Sequence, residues 1–261
     1  MTSTESRLAT PNEPLLTVER ISKRFRSRGT DSRSSASVLA LDQVSLSVDR
    51  GETLAVVGES GSGKSTLGRA ILQLDPPDSG SVRFDGHQLV GLSERRLHPL
   101  RRRMQMIFQD PFGSLNPRMS VRDILAEPYE IHRSALGHVN LDAEVRRLLD
   151  AVQLPASAAD RYPRQFSGGQ RQRISIARAL ALKPEFVVAD EPVSALDVSI
   201  QAQILKLLTD LQQQYRLAYL FIAHDLAVVR HIADRVLVMY FGRIVEIADC
   251  DALYRAPMHP Y

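Results

Sequence analysis

The segment Gly58-Glu59-Ser60-Gly61-Ser62-Gly63-Lys64-Ser65-Thr66 spaces glycines so that a lysine and a hydroxyl follow them directly. Glycines at 58, 61 and 63 permit left-handed or crowded backbone, so successive N–H groups can turn inward as an anion-binding nest. Lys64 then supplies a cation for the β- and γ-phosphates of a nucleotide, and Ser65 a hydroxyl for Mg²⁺. The pattern constrains few positions, so taken alone it also suits a glycine-rich turn that holds nothing. Further along, 187–191 is an apolar run ending in Asp190 and Glu191. Asp190 suits Mg²⁺, directly or through water, and Glu191 suits polarisation of an attacking water. His224 closes another apolar run and could hydrogen-bond a γ-phosphate, although a lone histidine after a strand is more often structural. A second glycine-rich segment, Phe166-Ser167-Gly168-Gly169-Gln170, lies more than a hundred residues after the first. Ser167 is a capping type ahead of a helix starting near Gly168, which would leave its hydroxyl and the Gly169 N–H free for an anion.

These groups need elements to position them. Residues 53–57 read as a strand that ends at Gly58, and Leu67 and Ile71 begin a helix, so phosphates would meet that helix's unpaired N–H groups and positive dipole end. Residues 15–18 and 44–48 alternate as strands, with a Ser-, Arg- and Gly-rich loop at 26–37 between them. The 76–80 turn separates the first helix from a strand at 81–84, and 104–109 reads as a further strand. From 110 to about 164 the spacing is helical: Ser120 caps 121–131, and 141–152 repeats at helical period. Strands return at 186–189, 218–223 and 235–240, with helices at about 168–182, 199–215 and 226–232 between them. Apolar strands joined by helices imply a mainly parallel sheet covered on both faces, with chemistry at the strand ends.

Composition narrows the class. A chain of 261 residues, 44% hydrophobic and 24% charged, can bury a sizeable core in one domain. No run approaches the about eighteen apolar residues that span a bilayer, and 1–14, read as a loose tail, is too polar for a secretory signal. A cytosolic protein is expected. The single cysteine, Cys250, leaves no intramolecular disulfide and no cysteine-based zinc or iron–sulfur site in this chain alone. A net charge of +3 is too small to argue for nucleic acid.

Taken together, the motifs closely resemble the ATP-binding subunits of ABC transporters over about 15–261. In that family's order, Gly58 to Ser65 matches the Walker A loop, Gln109 the Q-loop, Ser167-Gly168-Gly169-Gln170 the signature and 187–190 the Walker B strand. Glu191 matches the catalytic glutamate, Ser194-Ala195-Leu196-Asp197 the D-loop and His224 the switch histidine. The chain is most similar to the oligopeptide/dipeptide importer branch, which also holds nickel and glutathione importers. That similarity rests on the 58–66 segment, Phe108-Gln109-Asp110-Pro111, Ser114-Leu115-Asn116-Pro117-Arg118, the closing Pro257-Met258-His259-Pro260-Tyr261, and Phe166 where the wider family shows leucine.

The resemblance implies an α/β fold: a P-loop NTPase cassette with a RecA-like parallel-sheet core, an N-terminal antiparallel β subdomain and an inserted helical signature subdomain at about 110–180. It implies one ATP-binding domain over 15–261, with ATP and Mg²⁺ as the bound species. Ser65, Gln109 and Asp190 would attend the Mg²⁺; Phe25 would stack on adenine, the alternative being a core phenylalanine. Ser167, Gly168, Gly169, Gln170 and Asp197 would serve the ATP held by the opposite subunit, in a head-to-tail dimer with a second ABC ATPase chain, identical or related. Gln109 would link hydrolysis to a coupling helix of a membrane subunit received by about 110–131. Two transmembrane permease subunits and a periplasmic or extracellular substrate-binding protein complete the expected machine, with this chain peripheral on the cytoplasmic face of the inner (plasma) membrane. Export, a poorly hydrolysing regulatory subunit, and a soluble ABC ATPase of DNA repair, chromosome structure or translation are the competing readings. Relatives of this branch commonly continue beyond the His-Pro-Tyr segment.

Three further features invite plain readings. Arg101-Arg102-Arg103 reads as a solvated charged face, and Arg171 and Arg173 as interface or intersubunit ion-pair partners rather than nucleic-acid contacts. His259 has no partner at metal-ligand spacing.

Overall fold

The computed structural model describes residues 13–26 and 37–261. The expected tail at 1–14 and loop at 26–37 therefore fall almost wholly outside the described residues. Strands in chain order are β1 (Leu16–Arg26), β2 (Ser37–Val48), β3 (Thr53–Val57), β4 (Ser79–Phe84), β5 (His87–Gln88), β6 (Met104–Ile107), β7 (Phe186–Asp190), β8 (Ala218–Ile222), β9 (Arg235–Tyr240) and β10 (Arg243–Asp249). The helices are α1 (Lys64–Ile71), α2 (Glu94–Arg101), α3 (Pro111–Ser114), α4 (Val121–Ile131), α5 (Arg133–Leu136), α6 (Leu141–Ala151), α7 (Gly168–Leu180), α8 (Val198–Tyr215), α9 (Leu226–Arg230) and α10 (Cys250–Arg255).

Two sheets form. One is antiparallel, in the order β2-β1-β4-β5. The other runs β10-β9-β3-β8-β7-β6 and is parallel except for β10, which returns along β9. Every residue of β3, β7 and β8 is buried, because both faces of this sheet are covered. The two-residue period then sorts their side chains into two cores. Leu54, Val56, Val188, Leu220 and Ile222 pack with the antiparallel sheet and α1. Ala55, Val57, Val187, Ala189, Tyr219 and Phe221 pack with α4, α6, α7 and α8. Each fully buried Leu, Val or Phe contributes about 1.5–3 kcal/mol, so the central strands, and the ends that carry chemistry, form a stiff platform.

The α4–α7 stretch follows the helical periodicity. Ser120 caps α4 through a capping box with Asp123, as its type suggests, and Asn140 accepts the Ala143 N–H at the start of α6. Elsewhere the boundaries move. Strand readings at 15–18 and 44–48 captured only the buried ends of β1 and β2, whose outer halves are half-exposed and broken by register shifts. The strand expected over 104–109 stops at Ile107, so Phe108 and Gln109 leave the sheet.

The arginine run at 101–103 is not a plain solvated face. Arg103 bonds Glu185 through Nε at 2.5 Å and Asp85 through Nη2 at 2.5 Å, lies 4.9 Å from the Phe84 ring, and shares both carboxylates with Arg50. The cluster ties β4 of one sheet to the start of β7 in the other, and Arg101 pairs with Glu94 within α2. Proximity in the fold, not sequence spacing, supplies these carboxylates.

Candidate functional site

β3 delivers the chain to Gly58, whose φ of 153° and close approach to β9 exclude other residues. A Cβ there would lie 2.3 Å from the Met239 carbonyl and 2.8 Å from Ser62 Oγ. The loop bends outward through exposed Glu59, Ser60 and Gly61, returns through buried Ser62, and enters α1 behind Gly63. The first α1 bond is Leu67 N–H to the Gly63 carbonyl, so the N–H groups of Lys64, Ser65 and Thr66 precede the helical ladder. No acidic residue stands in that first turn. Lys64 is 5% exposed, and its Nζ donates to the Gly58 and Glu59 carbonyls at 2.8 Å each. Burial lowers its pKa, while the charges of Glu191 and Asp190 act against that. Ser62 Oγ is buried without a partner. Unladdered N–H groups, a buried cation and an unused hydroxyl, with no carboxylate in the turn, fit the phosphates of a nucleotide.

The neighbouring strands supply the acidic groups. Asp190, at the end of β7, is 4% exposed and accepts a 2.9 Å bond from Ser65 Oγ. Burial raises its pKa; the Ser65 bond opposes this and the Glu191 charge adds to it. A buried carboxylate and a hydroxyl side by side are hard oxygen donors of the kind Mg²⁺ takes. Glu191 follows with φ at 43°, strained for a side chain of this size, and its N–H bonds the Ile222 carbonyl at 3.0 Å. Gln109 Nε2 donates to Glu191 Oε2 at 2.9 Å, and His224 Nδ1 stands 3.3 Å from the same oxygen. Three sequence candidates thus converge, because β6, β7 and β8 are neighbours and each is followed by one of them. A cleft of about 520 Å³ opens among Ser65, Gln109, Asp190 and Arg178, and another of about 650 Å³ lies between Gly58, Glu59 and His224.

The second glycine-rich segment makes no hydrogen bond to this cluster among the described residues. Ser167 N-caps α7 in a capping box: its Oγ accepts the Gln170 N–H at 3.4 Å, while Gln170 Oε1 accepts the Ser167 N–H at 3.0 Å. The hydroxyl expected to be free is therefore engaged as an acceptor through one lone pair and keeps its proton to give. Gly169 is required by contact, since a Cβ there would lie 2.5 Å from Ile200 Cγ2. The start of α7 is thereby set against the start of α8, where Asp197 is the N-cap residue without a side-chain cap bond. Among the described residues Ser167, Gly168, Gly169 and Gln170 make no hydrogen bond to residues 58–66. Within the chain, Arg171 and Arg173 also make hydrogen bonds to their own fold. Arg171 donates to the Pro163 and Arg164 carbonyls and Arg173 to the Val152 carbonyl and Gln153, bracing their own chain's turns.

Phe25 is 42% exposed, which overturns the core alternative. Lys23 Nζ lies 5.7 Å from its ring, and Val38 opposite it on β2 is also exposed. Two residues on, the Ala40 carbonyl would lie 2.4 Å from a Cβ on Gly63, so this rim borders the phosphate loop. Sequence reading missed the β9–β10 turn and the closing segment as part of the site. Gly242 N–H bonds the Ser62 carbonyl at 2.9 Å, and Tyr261 Oη accepts the Glu59 N–H at 3.0 Å. No local signal marks contacts of such long range. His259 Nδ1 accepts the Tyr261 N–H, and no group of three or more potential metal ligands occurs among the described residues.

Residues 41–194 match a family model described as ABC transporter. The chain is 52% identical over 251 residues to the oligopeptide transport ATP-binding protein OppF of Bacillus subtilis, a match covering 95% of this chain and 80% of that one. It is 53% identical over 224 residues to the protein of the same name from Streptococcus mutans, covering 86% and 73%. The ATP-binding cassette MJ0796, solved as a dimer in a post-hydrolysis state with ADP and Pi, superimposes with a TM-score of 0.78 at 28% identity, over 90% of this chain and 98% of that one.

Proposed function

The chain belongs to the ABC transporter family as an ATP-binding, ATP-hydrolysing subunit, and from that premise we propose that it energises import of peptides or similar solutes through a membrane complex. The observation that carries the hydrolytic reading is the Gln109–Glu191–His224 cluster, one peptide bond from the Asp190–Ser65 pair. Glu191 takes the proton of an attacking water and is aimed by Gln109 on one side. His224, 57% exposed at its side chain, faces the cleft and hydrogen-bonds the γ-phosphate. Lys64, seated on the loop carbonyls by two of its three N–H donors, turns its charge and third donor to the β- and γ-phosphates, and the N–H groups at the α1 start orient them. Ser65, Asp190 and Gln109 are the side chains that would hold Mg²⁺, which supplies charge neutralisation on the phosphate oxygens. Phe25 stacks on the base.

Ser167, Gly168, Gly169, Gln170 and Asp197 serve the nucleotide of a second, identical or related cassette. Their lack of any hydrogen bond to this chain's own phosphate loop among the described residues supports that reading, as does a capping hydroxyl with its proton still to donate. The remaining partners are two transmembrane permeases and a substrate-binding protein outside the membrane, with this chain peripheral on the cytoplasmic face. The loop after Gln109 and the helices that follow receive the permease. Lys64→Ala tests the foundation: ATP affinity by calorimetry falls at least about 10-fold, as expected when a charge-assisted contact to phosphate is lost, whereas unaltered affinity would remove the phosphate-loop assignment.

A further inference from the structure

The closing segment forms a strap across the rim of the phosphate loop. Glu246, on β10, accepts the Met258 N–H at 2.9 Å and the His259 N–H at 2.8 Å. The Tyr261 N–H folds back on His259 Nδ1 at 3.1 Å, and the Tyr261 ring packs 4.7 Å from Tyr240 of β9. Anchored in this way to the sheet edge, the phenol oxygen accepts the Glu59 N–H at 3.0 Å. That N–H and the Gly58 carbonyl belong to one planar trans peptide, so they point in opposite directions. Lys64 Nζ holds the carbonyl end at 2.8 Å. Tyr261 and Lys64 therefore grip the two ends of a single peptide unit.

Lys64 holds the carbonyl end, and the adjoining Glu59 carbonyl is held by the Ser62 N–H at 3.1 Å, but among the described residues the Glu59 N–H end has Tyr261 as its hydrogen-bond partner. Gly58 has no Cβ to bias its backbone, and Glu59 is exposed. We infer that Tyr261 is a positioning residue for Lys64: its phenol fixes the Gly58–Glu59 peptide so that the carbonyl seats the ammonium beside the phosphate site. Without the phenol the peptide can rotate, one of the lysine's two seats is lost, and the loop must be reordered each time ATP binds. The inference rests on the reading of 58–66 as the ATP phosphate loop.

The test compares wild type with Tyr261→Phe, Tyr254→Phe and Lys64→Ala in the full chain, measuring ATP dissociation constants together with kcat and KM for hydrolysis. Tyr261→Phe keeps the ring packing and removes only the oxygen. Loss of one hydrogen bond predicts a 3- to 10-fold rise in both Kd and KM, with kcat at saturating ATP within about twofold of wild type. Tyr254, whose hydroxyl bonds the Leu226 carbonyl in the same cleft, serves as control, and its phenylalanine variant leaves Kd unchanged. A Tyr261→Phe protein with unchanged Kd, or with lowered kcat at unchanged KM, overturns the inference while a weakened Lys64→Ala leaves the phosphate-loop reading standing. An equal rise in Tyr254→Phe overturns it as well, by showing a general disturbance of the cleft. If Lys64→Ala also binds normally, the underlying reading falls with it.

Discussion

Glu191 is the residue on which the hydrolytic reading turns, and its surroundings explain why. It sits at a φ of 43°, and one oxygen of its carboxylate meets both Gln109 and His224. A side chain of this size in left-handed backbone costs energy of order 1–3 kcal/mol; the strain persists because the Ile222 carbonyl holds its N–H. The same geometry separates the two carboxylates by role: Asp190 is held against Ser65, while Glu191 is held against Gln109 and His224. His224 tests this arrangement independently. His224→Ala is expected to lower kcat by about 10² or more, the range for a positioned proton-handling or hydrogen-bonding group, while KM for ATP changes much less. Steady-state kinetics reads both, and a variant that altered KM alone would show His224 to bind ground-state nucleotide only. Each of these residues was legible in the sequence because it ends or follows an apolar run. Their mutual contact was not, since it depends on β6, β7 and β8 lying side by side.

At the scale of elements, legibility followed burial. β3, β7 and β8 are buried on both faces and stand out as uninterrupted apolar runs, whereas β10 is half-exposed along its length and lies at the sheet edge. α2 was missed because Pro99 lies inside it and a single residue, Leu97, is buried. Such elements are defined by what they pack against. Arg103 illustrates the point, since its carboxylate partners come from β4 and from just before β7. The Arg103 hydrogen bond, against a smaller effect of burial, holds Glu185 below the usual carboxylate range. Burial pushes Asp85 upward, but its bonds and charge contacts with Arg103 and Arg50 outweigh this and leave its pKa lowered. Carboxylates with depressed folded pKa values stabilise above their ordinary pKa, about 4, and lose that contribution as pH falls through the folded values. Arg103→Gln should therefore destabilise the protein at pH 7 by on the order of 1–3 kcal/mol, between exposed and buried pairs. Its deficit relative to wild type should shrink as the pH drops below about 4. Denaturant melts across pH check both; a deficit constant down to pH 2 would contradict the linkage.

At the scale of the whole molecule, the residues proposed to bind nucleotide fall into two groups that share no hydrogen bond among the described residues. Walker-type groups gather at the ends of β3, β6, β7 and β8, while the Ser167–Gln170 capping box looks outward from the start of α7, held there by the contact of Gly169 with Ile200. On the proposed reading, that box is a donor surface for a second chain's ATP, and two copies, or this chain and a relative, complete each other's sites. On the same reading ATP favours the closed pair, because the cross-interface contacts to its γ-phosphate add to those of Lys64 and His224, and hydrolysis removes them. The most direct measurement uses Glu191→Gln, which keeps the shape of the side chain and removes its charge. With Mg²⁺ and ATP, sedimentation velocity should show dimers accumulating while phosphate release falls at least about 10²-fold. Hydrolysis near the wild-type rate, or a variant that stays monomeric at saturating ATP, would contradict the account.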